Sequence, residues 1–144
     1  FMMTANNPLS FRRGSPNVRR LFPDYAQAEK DYYRRTKIYP IMHLVAIRKQ
    51  VYEKYPFVAT SLYNAFCESK RIALEKMLNL RALRYMTPFL MRDIDEIHEL
   101  FDGDPWPYGL EPNRPTLEAF VTYLTDQSLI AAPVPVDDLF VPTH

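Results

Sequence analysis

Residues 38–47, Ile-Tyr-Pro-Ile-Met-His-Leu-Val-Ala-Ile, constrain the fold more than any other stretch of this chain. Alternation sets Ile41, His43, Val45 and Ile47 on one face of an extended segment and Met42, Leu44 and Ala46 on the other. Both faces are apolar except at His43, which is the pattern of a strand covered on two sides. Its β-branched residues favour that conformation, and Pro40 marks an edge or a bend. Such a strand needs parallel neighbours, and the rest of the sequence does not supply them. The expectation is an α/β fold, mostly helical in this portion, with one main buried strand and the remaining layers outside it. The opening Phe1-Met-Met-Thr4 reads in the same sense, as the tail of a strand whose start lies upstream.

Elsewhere the periodicity is helical. A helix is expected over 24–35, begun by Asp24 and ended by Arg34 and Arg35, which complement its C-terminal dipole. A short one covers 49–54. A long one covers 56–78, with Val58, Leu62, Ala65, Phe66, Ser69 and Ala73 as its core stripe. A helix over 88–101 carries Leu90, Ile94, Ile97 and Phe101 inward, and Gly103 stops it. The last long helix, 114–128, is capped by Asn113 and buries Leu117, Phe120, Val121 and Leu124. One further turn is expected at 136–140.

Thirteen prolines against three glycines, Gly14, Gly103 and Gly109, exclude a glycine-rich phosphate loop or dinucleotide fingerprint. A net charge of +1 supplies no field for nucleic acid or an anionic membrane. No apolar run reaches the ~20 residues that span a bilayer. The single cysteine, Cys67, falls within a helical pattern and reads as a small buried hydrophobe.

Four places could carry chemistry. Arg12, Arg13, Arg19 and Arg20 surround Gly14-Ser15-Pro16-Asn17. This is either a solvated loop or a carboxylate clamp, in which Arg13 and Arg19 bind with support from Ser15 and Asn17. His43 is either a hydrogen-bonded core residue or a group lining a site. The run Asp93, Asp95, Glu96, His98 and Glu99 reads as a solvated acidic helix face rather than a metal site. Trp106-Pro-Tyr-Gly109 is an aromatic turn stiffened by Pro105 and Pro107, which either pins the last helix or offers the Tyr108 hydroxyl to a ligand.

Three stretches, Gly14-Ser-Pro-Asn-Val-Arg-Arg-Leu-Phe-Pro-Asp24, Ile38-Tyr-Pro-Ile-Met-His43 and Trp106-Pro-Tyr-Gly-Leu-Glu-Pro-Asn-Arg114, resemble the C-terminal part of the 4,5-dihydroxyphthalate decarboxylase family. The resemblance implies a fold like the type II periplasmic binding proteins. Residues 1–37 would end the second lobe, and 38–144 would form a crossing strand and helices packed on the first lobe, whose N-terminal portion is missing. It also implies loss of one carboxylate from 4,5-dihydroxyphthalate to give protocatechuate, with no cofactor and no metal, and with this segment inactive by itself. His43 would move the proton, while Arg13, Arg19, Ser15, Asn17 and Tyr108 would bind an aromatic carboxylate. The implied setting is cytoplasmic, with neither nucleic acid nor membrane as partner. The alternative is a periplasmic solute-binding protein that holds such a carboxylate for transport without turning it over.

Overall fold

The computed structural model describes residues 7–79 and 86–143, and among these every regular element is helical. The chain divides into two units after Thr36.

The first unit contains α1 (Leu9–Arg12) and α2 (Tyr25–Thr36). The short α1 interrupts a stretch that reads as loop from sequence. Gly14 ends it in the left-handed region at φ 70°, with the Ser15 N–H donating to the Ser10 carbonyl and the Gly14 N–H to Phe11. These two bonds satisfy carbonyls that the helix end would leave bare. Asp24 acts as expected, its carboxylate accepting from the Gln27 N–H at 3.4 Å.

The second unit contains α3 (Lys49–Lys54), α4 (Phe57–Leu78), α5 (Leu90–Leu100), α6 (Leu110–Asp126) and a 3-10 turn at Val136–Leu139. α3 packs on α4, and the 3-10 turn packs on α6. α5 and α6 both close with left-handed residues that are not glycine. Asp102 at φ 55° lets the Gly103 N–H reach the His98 carbonyl, and Ser128 at φ 56° lets the Leu129 N–H reach Leu124.

The α/β expectation is not met: no residue among those described lies in a strand. Residues 37–48 carry no regular structure. A strand exists only through its ladder, and Pro40 has no N–H to give one. The side chains that were to be buried on two sides stand in solvent, Met42 at 68% exposure, Leu44 at 66% and Val45 at 63%. The short strand expected at 1–4 lies outside the described residues.

The helices start and stop close to the expected positions, but two differ in detail. α6 begins at Leu110 rather than 114 and takes Pro115 within its first turns. α4 also turns a different face inward. The stripe that is buried or half-buried runs through Ala59, Tyr63, Cys67, Lys70, Leu74 and Met77, while Leu62, Ala65, Phe66, Ser69 and Ala73 are exposed. Both faces are apolar enough to be buried, and contact with the loop before α6 selects the one bearing Lys70. Only Ala59, Ile94, Val121 and Val136 are fully buried among the described residues.

Candidate functional site

The predicted anion-binding residues lie on one loop of the first unit. Arg13 is the residue at which α1 ends, and Arg13, Asn17 and Arg19 are exposed while Ser15 is half-buried. The Ser15 carbonyl accepts from the Val18 N–H at 3.2 Å, drawing the loop into a turn. Arg20 plays a different part from its neighbours. Its guanidinium lies 4.0 Å from the Tyr25 ring centroid and 5.3 Å from that of Phe11, so it bridges the two helices of the unit. Arg20 therefore holds the loop, and Arg12, Arg13 and Arg19 remain displayed upon it with forks suited to carboxylates.

In the second unit the most ordered arrangement of polar groups is the loop Asp104–Gly109, which leads into α6. Its side chains and carbonyls are tied from four directions. The Trp106 N–H donates to Asp104 Oδ1 at 3.1 Å, a local turn of the kind aspartate favours. Asn113 Nδ2 donates to the Pro107 and Gly109 carbonyls, each at 2.8 Å. The sequence reading gave Asn113 the N-cap of a helix; it instead sits inside α6 and reaches back over the loop. From α4, Lys70 Nζ donates to Asp104 Oδ2 and to the Trp106 carbonyl, both at 2.6 Å, and lies 4.8 Å from the Tyr108 ring centroid. Two turns earlier on the helix, the Tyr63 hydroxyl donates to the Tyr108 carbonyl at 3.4 Å. A hydrogen bond with Cys67, reinforced by desolvation, pushes the Tyr63 phenol above its ordinary range. Gly109, at φ 100°, passes close beneath this hydroxyl: a Cβ there would stand 3.3 Å from Tyr63 Oη.

The fourth tie comes from Tyr39. Tyr39 packs edge-on against Trp106, with centroids 5.4 Å apart, and against Phe101 at 5.3 Å. This anchors Tyr39, four residues before His43, against the loop that carries Tyr108. His43 is exposed rather than set on a buried strand face. Tyr108 and Trp106 are 42% and 43% exposed, enough for an aromatic ligand to reach their rings.

The predicted residues thus fall into two groups: Arg13, Ser15, Asn17 and Arg19 in the first unit, His43 and Tyr108 in the second. Sequence reasoning missed Lys70, the stack of Tyr39 on Trp106, and the structural part of Arg20. A signal for Lys70 was present, because Tyr63, Cys67 and Lys70 recur at helical spacing and line one face.

No family model matches this chain. A 4,5-dihydroxyphthalate decarboxylase from Comamonas testosteroni is 31% identical over 135 residues, which are 94% of this chain and 41% of that protein. The chain is related to that decarboxylase and spans less than half of its length.

Proposed function

We propose that this chain is part of a decarboxylase acting on a dihydroxylated aromatic dicarboxylate of the 4,5-dihydroxyphthalate type. The observation that carries this reading is the 31% identity extending over 94% of the chain. The exposed guanidinium loop and the half-exposed aromatic loop are chemically suited to such a ligand.

The reaction can be balanced without an electron acceptor. A proton adds to the ring carbon that bears the departing carboxylate, assisted by electron release from the para hydroxyl. The bond to the carboxylate then breaks, carbon dioxide leaves, and the bonding pair restores the aromatic ring. This chemistry needs a cation for the retained carboxylate and a general acid at the ring carbon. Arg13 and Arg19, with Ser15 and Asn17 on the same loop, are suited to the first role. His43 is suited to the second, since an imidazole can both donate and accept a proton and this one is exposed. Tyr108 is suited to a ring or hydroxyl contact.

Incubation of the protein with 4,5-dihydroxyphthalate, with release of carbon dioxide and formation of protocatechuate followed together, tests this reading. His43→Ala should lower turnover by ~10²-fold or more. Arg19→Lys should chiefly raise KM, because the charge stays while the bidentate fork is lost. Tight binding of the dicarboxylate with no carbon dioxide released would overturn the decarboxylase reading in favour of a solute-binding one.

A further inference from the structure

A lysine ammonium carries three donors and is strongly hydrated, so it enters a protein only where those donors find partners. The Lys70 side chain is 17% exposed, whereas that of Arg71, the next residue on α4, is 54% exposed. The two cations are used differently. Arg71 pairs with Glu68 at 2.6 Å and with Glu75, both on its own helix. Lys70 reaches across to three alternate positions of one loop, Asp104, Trp106 and Tyr108. Two of its donors end on acceptors of the protein, and the cation lies over the Tyr108 ring. Tyr108 itself stays 42% exposed.

We propose that Lys70 is the positioning residue that fixes Tyr108 for an aromatic dicarboxylate, an inference that rests on the functional reading above. With a cation over one face, the Tyr108 ring can meet a ligand through its opposite face or its hydroxyl. The cation also draws on the ring's π electrons, which lowers repulsion against an electron-rich dihydroxylated ring stacked on the other side. Lys70 acts through Tyr108 and does not itself touch the ligand, since its bonds are committed to Asp104 and the Trp106 carbonyl.

Trp106 is the sole tryptophan of this chain, so its emission reports on the loop directly. The test compares Lys70→Met, which keeps the stem without the donors, with Lys70→Arg, which keeps donors and charge. For Lys70→Met, Trp106 emission should move to longer wavelength, acrylamide should quench it more readily, and 4,5-dihydroxyphthalate should bind ~10-fold more weakly by calorimetry, about the effect of one charged hydrogen bond. Lys70→Arg should recover most of both properties. Tyr108→Leu, which removes both ring and hydroxyl, should weaken binding in the parent chain and have little further effect in Lys70→Met, because Lys70 acts through that ring. Unchanged Trp106 emission in Lys70→Met overturns the proposal, and so do fully additive losses for Lys70→Met and Tyr108→Leu. Failure of the unsubstituted chain to bind the dicarboxylate would overturn the ligand half of this proposal, whereas the functional reading stands or falls on carbon dioxide release. The Trp106 measurements would then still decide whether Lys70 orders the loop.

Discussion

Single residues in this chain are often held in conformations that their side chains do not favour, and these positions make sharp predictions. Ser128 closes α6 in the left-handed region at φ 56°, where a Cβ is disfavoured and glycine is free. Ser128→Gly should therefore stabilise the chain by about 1 kcal/mol in urea melts followed by helix ellipticity. Gly103 presents the opposite case, since it sits at φ 87° and an added Cβ would stand 3.0 Å from His98 Nε2. Gly103→Ala should cost about 1–2 kcal/mol in the same melt, and an unchanged midpoint would show that the end of α5 adapts freely. Arg114 is the other position where one side chain does several tasks. It grips Asp137 through two bonds of 2.7 and 3.0 Å and Glu111 through bonds of 2.6 and 3.1 Å, tying the 3-10 turn to α6. The guanidinium holds both carboxyls below their ordinary values. A depressed carboxyl contributes stability that is complete above its unfolded value, near 4, and is lost as pH falls through the lower folded value. Stability should accordingly drop as pH falls below about 4. Asp137→Asn should flatten that part of the profile, and a profile identical to the parent's would remove Asp137 from the account. Arg114 itself is raised still further above neutral pH and contributes nothing in this window.

At the scale of elements, the helix boundaries follow from local chemistry and the helix faces do not. Tyr25–Thr36 and Lys49–Lys54 lie within a residue of the expected spans because caps, charges at the last turn and flanking prolines act over a few residues. On α4, apolar residues occur nearly all round, and periodicity picks Ala65 and Phe66 as core where the fold buries Ala59, at 4% exposure. Substitution by leucine separates the two assignments. Ala59→Leu should overpack and cost about 1–3 kcal/mol, while Ala65→Leu should change stability by less than about 0.5 kcal/mol. Equal effects at both positions would mean that α4 can rotate between the two faces. The Asp104–Gly109 loop was recognised as a stiff aromatic turn from its prolines. Its anchoring by Lys70, 34 residues away from Asp104, depends on how α4 approaches it and has no local mark.

For the molecule as a whole, the notable property is how little is buried. Four apolar residues are inside among those described, while Leu21, Phe22, Met42, Leu44, Val45 and Phe57 each stand more than 60% exposed. Met42, Leu44 and Val45 among them lie in a segment with unladdered backbone, and exposed apolar chain of this kind is prone to self-association. Light scattering should show this chain associating as concentration rises, and Leu44→Lys together with Val45→Lys should reduce association without lowering the melting midpoint. A monodisperse monomer at high concentration would contradict this.

The sequence by itself determined the longer helical segments, the ends of Tyr25–Thr36 and Lys49–Lys54, the proline-stiffened aromatic turn and a relation to a decarboxylase. All of these rest on short-range chemistry or on residue identity. It did not determine whether 38–47 becomes a strand, because alternation shows which side chains share a face, whereas a strand requires a second chain segment to complete its hydrogen bonds. Nor did it determine which face of α4 is covered or which cation orders the loop before α6. Only the tertiary structure decides such matters. They turn on contacts between residues far apart in sequence, as when a single ammonium on α4 finds its acceptors at Asp104 and Trp106.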